Sequence, residues 1–216
     1  METFAHMIIR DRRFQMLAVI VGAFALTGLA WWGYQSYRTS RNERAQVSFM
    51  QQVELFEKTR AAKETTPQTW RNFATEIGCS YQKHASSDLG PFFKTLQAQA
   101  LLEAGDRDQA ISALDEAYKT MDKKSPLSYL YATKLALMRF DSDKTDVHEQ
   151  GKQALQALAD DRHNLHRGMA WHGLWHDAWV RNDQQAATTA YQQLITFGQQ
   201  GSHYAQLAQQ KIAFKA

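Results

Sequence analysis

The chain has 216 residues, 44% of them hydrophobic and 22% charged, with 3 Pro and 1 Cys. That length suits one globular domain plus a short extra segment, and a lone cysteine, Cys79, excludes an internal disulfide framework and a cysteine-based zinc site. The formal charge of +3 lies in residues 1–44, where Arg10, Arg12, Arg13, Arg38, Arg41 and Arg44 outnumber Glu2, Asp11 and Glu43. The remaining 172 residues carry 19 basic and 19 acidic side chains. A neutral domain lacks the basic stripe that phosphate binding needs, so nucleic acid is excluded as a partner.

The first element in chain order is Met16 to Trp32, seventeen residues without a charge and with one hydroxyl, Thr27. At about 1.5 Å per residue this helix is roughly 26 Å long, close to the ~30 Å hydrocarbon core of a bilayer. The spacing predicts a transmembrane helix over residues 16–34. Its anchor residues are Met16, Leu17, Val19, Ile20, Val21, Phe24, Leu26, Leu29, Trp31 and Trp32. Trp31, Trp32, Tyr34 and Tyr37 form an aromatic belt, and Arg12, Arg13, Arg38 and Arg41 can reach the headgroups. A buried core helix is rarely apolar on every face for this length. A cleaved signal peptide fits less well, because the one Ala-x-Ala (Ala23 to Ala25) lies mid-run and the run ends in Trp-Trp. Three arginines on each side leave the orientation undecided by charge.

From about Arg44 onward the apolar period is helical throughout, so the fold class is all-α. Pro67, Pro91 and Pro126 mark helix starts, since proline in the first turn costs no hydrogen bond. The predicted helices are 42–59, 67–80, 91–104, 107–121, 126–140, 146–159, 166–181, 183–197 and 202–214. Ala110, Leu114, Ala117 and Met121 make one apolar stripe, Val147, Gly151, Leu155 and Leu158 another, and Tyr204, Leu207, Ala208 and Ile212 a third. Such stripes must pack on neighbours, and short loops make those neighbours antiparallel hairpins.

Three constellations invite a chemical reading. Cys79 has His84 nearby, but a lone cysteine is usually a small apolar filler. Asp141, Asp143, Asp146 and Glu149 resemble part of a calcium loop, yet Asp146 stands at the required Gly and Lys152 at the final bidentate position. His172 and His176 are four apart, near His163, His166 and Asp177, but Gly173 stands where a zincin has Glu, and two histidines are half a zinc shell. The sequence therefore predicts no catalytic residue, no metal, no cofactor and no small-molecule substrate. Trp171, Trp175 and Trp179 form an i, i+4, i+8 ladder with two readings: inter-helix core, or an aromatic partner surface formed by Trp175 and Trp179.

Two turns repeat. Gly105-Asp106-Arg107-Asp108-Gln109-Ala110 precedes Leu114 and Ala117; Asn182-Asp183-Gln184-Gln185-Ala186-Ala187 precedes Tyr191 and Leu194. Upstream of the second, Trp171 and Leu174 occupy W-x-x-L positions. This resembles the tetratricopeptide repeat, in which a turn of this kind precedes a small residue where two helices close. Asn182 can replace Gly at a left-handed helix end. Trp175 and Lys94 depart from the pattern, and the unit between the turns is degenerate. The expectation is a hairpin solenoid over residues 35–216, with diverged repeats at about 91–200 and a capping helix at 202–214.

With its anchor, its turns and a final helix containing Gln209-Gln210-Lys211-Ile212, the whole chain is similar to the YfgM-like family of ancillary SecYEG translocon subunits. The resemblance implies a cytosolic segment at 1–15, a bacterial inner-membrane location with the N-terminus inside, and a periplasmic helical domain. It also implies partners: the SecYEG translocon, a periplasmic chaperone of the PpiD type, and translocated clients. No catalysis goes with it. The implied function is a membrane-anchored interaction scaffold. The alternatives are an envelope-assembly or cell-division coordinator with the same fold, and a secreted metal-dependent enzyme using the histidines.

Overall fold

The computed structural model describes residues 12–62, 65–197 and 203–213, with side chains from Ile20 onward except Phe197 and those after Gln210. Every element among them is an α-helix: α1 Arg12–Ala61, α2 Pro67–His84, α3 Gly90–Glu103, α4 Arg107–Thr120, α5 Pro126–Phe140, α6 Thr145–Asp160, α7 Arg167–Val180, α8 Gln184–Phe197 and α9 His203–Ala213. The prolines do what their position predicts. Thr66 and Ser125 each cap the helix that begins with the following proline, their hydroxyls accepting the Thr69 and Leu127 amides. α2 runs a turn past the predicted Ser80 because Tyr81 still packs on the core.

The apolar stripes join consecutive helices into antiparallel hairpins α3/α4, α5/α6 and α7/α8, with α9 covering the last. The C-terminal half of α1 and α2 form the layer before them. The second helices begin at Arg107, Thr145 and Gln184, so the units run 38 and then 39 residues. The excess over the usual repeat sits in the links 121–125 and 161–166.

Two apolar cores result. The first joins Ala45 and Phe56 of α1 to Trp70, Phe73 and Ile77 of α2, Phe93 and Leu101 of α3, and Leu114 of α4, with Phe56 and Trp70 rings 5.2 Å apart. The second gathers Phe140, Leu155, Trp171, Trp175, Leu194 and Ala208. They meet along α5, whose successive residues Leu135 and Ala136 belong to different cores.

α1 is one unbroken helix of 50 residues, about 75 Å long. Its last third is packed, with Ala45, Gln52 and Phe56 buried. Over residues 20–37 the helix is exposed throughout: Phe24 is 75% exposed and Trp31 71%, and Ile20, Val21, Leu26, Leu29 and Trp32 are exposed too. Among the described residues no helix is long and apolar enough to cross a membrane. The side chains of Met16, Leu17 and Val19, where the predicted anchor begins, lie outside the described residues, as does the segment 1–11.

Among the described glycines the tightest approach is Gly151 of α6 against the end of α5, where an added Cβ would fall on the Phe140 backbone nitrogen. Backbone cannot swing aside as a side chain can, so Gly151→Ala should destabilise the domain by at least the ~1–3 kcal/mol typical of overpacking. Thermal melting followed by circular dichroism checks this; an unchanged midpoint would mean the two helices are further apart.

Candidate interaction surface

The two turns read from the sequence have one geometry. Gly105 (φ +83°) and Asn182 (φ +58°) sit in the left-handed region, which glycine and asparagine tolerate best. Around them the same pair of bonds closes each helix: Gly105 N–H to the Leu102 carbonyl and Asp106 N–H to Leu101, then Asn182 N–H to Trp179 and Asp183 N–H to Ala178. Three residues into each following helix stands the small residue of the pattern, Ala110 (fully buried) and Ala187 (half-buried). In the middle unit that position is His148. Its ring stacks on Phe140 with centroids 4.7 Å apart, and its Nδ1 bonds the Phe140 carbonyl. The close approach moves one turn along, to Gly151. That exchange is why the middle unit looks degenerate in sequence.

Side chains on the turn edge tie each unit to the next. Arg71 pairs with Asp106 at 2.7 Å, Arg107 with Asp141 at 2.6 Å, Lys144 with Asp108 at 2.6 Å, and Arg181 meets His148 at 2.9 Å. Partners lie 33 to 36 residues apart, one repeat. Of the suspected calcium loop, Asp141 is thus taken by Arg107, while Lys144, between Asp143 and Asp146 in sequence, is drawn to Asp108.

The first helices of the hairpins line a trough that reaches the turn edge at one end. One cavity of about 270 Å³ is formed by Ala98, Leu102, Tyr131, Leu137, Met138 and Met169 with Lys134 at its rim. A second, about 580 Å³, shares Leu102, Leu137 and Met138, continues to Gly173, His176 and Val180, and is bordered by Arg107, Asp141 and Asp177. The floor is apolar and rich in methionine, a side chain that adapts to irregular partners. It suits an extended or helical apolar segment, not a small polar substrate. Neither Tyr131, Met138 nor Met169 was singled out by the sequence. The available signal was α5 itself, apolar on two faces where an outer helix needs one.

Trp175 is 1% exposed at the centre of the second core, so it is not a partner surface. Trp171 is buried beside it; Trp179 is half-buried, its ring 6.2 Å from that of Trp175. A step of four residues turns a helix by about 40° beyond a full turn, so a ladder of three drifts from the core toward its rim. The buried Trp175 stands where the repeat wants a small residue. Lys94, the other departure, reaches Glu116 at 2.7 Å and lies over the Tyr81 ring, joining α2, α3 and α4.

The remaining candidates separate. His172 packs against Trp175 and Tyr204, and His176 against Trp179. His163 is exposed on a loop beside Asp161. Among the described residues no three His, Cys, Asp or Glu converge as metal ligands. Cys79 is exposed, while His84 stacks on Phe93 with rings 14° apart. Leu174 and Tyr191 are half-buried around the second core.

The family model of the tetratricopeptide repeat-like domain matches residues 12–214 of the chain. No curated protein and no solved structure matches it.

Carboxylates at both edges of the stack are acid-sensitive. The Arg71 guanidinium holds the Asp106 carboxyl below the usual carboxylate range; the His163 amide and Tyr129 hydroxyl do the same for Asp161. A carboxyl lowered on folding stabilises the native state above its unfolded pKa and loses that contribution as pH falls through the folded value. Burial lowers His166 in the same sense, so stability should begin to fall as pH drops below the ordinary imidazole value and fall further as it enters the carboxylate range. Arg71→Met should lower the stability at neutral pH and make the acid decline shallower. Urea midpoints across pH check this.

Proposed function

The chain belongs to the tetratricopeptide repeat-like domain family, and from that premise we infer that it is a single-pass membrane-anchored protein-interaction scaffold. The family's helical domains mediate protein–protein contacts and are typically non-catalytic. The observation that carries the anchor is α1: a continuous helix whose packed end enters the first core while its apolar end is bare on every side. An exposed apolar surface of this extent is not left in water by a folded protein. A bilayer covers it in all directions at once, which no single protein groove does. The belt of Trp31, Trp32, Tyr34 and Tyr37 stands at the end facing the domain, where the membrane interface would lie.

Held this way, the domain stays within nanometres of membrane partners, and the trough needs only modest intrinsic affinity because tethering raises the effective concentration. The partners are those the resemblance implies: the SecYEG translocon, a periplasmic chaperone of the PpiD type, and apolar segments of newly translocated proteins seated across Leu102, Leu137, Met138 and Met169. The location follows as the bacterial inner membrane, with residues 1–15 cytosolic, 16–34 in the bilayer and the helical domain periplasmic.

Carbonate washing of membranes should leave the full chain in the pellet. An arginine near the bilayer centre costs about 2.5–3.5 kcal/mol. Phe24→Arg combined with Leu26→Arg should therefore move the protein into the soluble fraction with its helical content intact. Wild-type protein released by carbonate would remove the anchor. Gentle detergent purification with mass spectrometry then tests the partners: a translocon channel and a periplasmic folding factor are expected, whereas wall-synthesis enzymes would favour the envelope-assembly role. Met169→Glu should weaken capture of an unfolded apolar client without shifting the melting temperature; unaltered capture would place the contact elsewhere.

A further inference from the structure

The two edges of the helical stack differ, and one of them begins at the foot of the apolar helix. Just past Tyr37, Arg38 and Asn42 of α1 both reach Asp88, at 3.0 and 2.8 Å, and Arg41 bonds the Ser86 carbonyl. The link between α2 and α3 is thereby held at the level where the apolar run ends. The next link along this edge, 121–125, borders the same cavity as Arg38 and Asp88, about 530 Å³ in volume, through Met121, Asp122 and Ser125. The third, 161–166, is joined to the start of α5 by the Tyr129 hydroxyl, which donates to Asp161 at 2.9 Å. Three links thus run in a row from the end of the apolar helix, while the turns at Gly105, Ser142 and Asn182 lie at the far ends of the same helices.

The third link is rigid and carries an apolar tip. Asn164 is buried beneath it: its amide donates to the Leu158 carbonyl, and its side-chain oxygen accepts the His166 amide, both at 2.8 Å. What this frame holds outward is Leu165, 81% exposed, more than any other large apolar side chain among the described residues. A loop built round a buried asparagine does not present leucine to solvent by slackness. Leu127, also exposed, stands at the start of α5 beside the second link.

Charge is arranged to match. The carboxylates of this edge are engaged locally: Asp88 by Arg38 and Asn42, Asp161 by Tyr129 and the His163 amide, and Asp122 by the Lys124 amide. Lys83, Lys124 and Arg162 are exposed, and among the described residues none has an ion-pair partner. On the turn edge Asp108 is paired with Lys144, Asp141 with Arg107, and Asp183 accepts the Ala186 amide, while Asp143 and Asp146 are exposed and, among the described residues, have no ion-pair partner. The cations outside ion pairs and the apolar tips lie on the side of the apolar helix, and the exposed carboxylates outside ion pairs lie on the other.

We propose that this link edge is a second, peripheral membrane contact: Leu165 enters the interface of the leaflet on the domain's side while Lys124 and Arg162 meet anionic phospholipid headgroups. The contact lays the hairpin stack along the bilayer and turns its acidic edge outward. It rests on the membrane-anchored reading of α1, and the two are separable by experiment.

The test uses the full chain with Cys79→Ser, reconstituted in phosphatidylcholine–phosphatidylglycerol vesicles and isolated by flotation. An environment-sensitive fluorophore is placed at Leu165→Cys or, on the opposite edge, at Asp143→Cys. The expected result is blue-shifted emission at position 165 that spin-labelled lipid quenches, with water-like, unquenched emission at 143. Adding Lys124→Glu and Arg162→Glu should return the 165 emission toward the water-like value. Protein that floats but shows water-like emission at 165 overturns the peripheral contact and leaves the anchor standing. A shift that survives both charge reversals overturns the headgroup pairing, and protein that fails to float overturns the anchor and the contact together.

Discussion

No helix of this domain can cover its own apolar stripe, and the rest of the structure follows from that constraint. Each helix is polar on one side and hands its apolar side to the next, so burial passes from α1 through α9 without a central layer. The hand-over depends on small residues at the places where backbones close: Ala110 in the first hairpin, Gly151 in the second and Ala187 in the third. Where one of these shifts, as His148 shifts the approach by a turn, the hairpin survives but its sequence signature fades. Units of 38 and 39 residues are accommodated in the same way, by links that lengthen while the packed helices keep their register.

The same hand-over explains α1. Its last turns find a partner in α2 and α3, and Ala45, Gln52 and Phe56 are buried. Its earlier turns are equally apolar and find none. Because the helix does not break between the two regimes, position along it becomes a ruler. Arg38, Arg41 and Asn42 mark the place where the domain begins and fasten the first link there. The domain therefore has a near edge and a far edge, and the charges left outside ion pairs divide between them, although the domain as a whole is neutral.

Groups that look reactive in one dimension are occupied by packing in three. Asp141, between α5 and α6, pairs with Arg107, and the histidines of α7 serve as flat rings against Trp175, Trp179 and Tyr204. His84 has Phe93 for a neighbour. The chemistry that remains on the surface is that of shape and apolarity: the trough along α3, α5 and α7, and the leucine-tipped link beside it.

The helices, their starts and the two left-handed turns were legible because their causes are local. A proline fixes its own φ, a hydroxyl caps the amide two or three residues on, and Gly105 or Asn182 tolerates a backbone that other residues resist. The side on which each tryptophan lies was not legible. A ladder at every fourth residue drifts round the helix, and only the arrival of α6, α8 and α9 makes Trp175 core and Trp179 rim. The trough was hidden for the same reason, since Tyr131, Met138 and Met169 come from different helices and share a surface only after stacking. Local chemistry decided what the elements are; their assembly decided which faces are left over, because exposure belongs to neighbours rather than to residues.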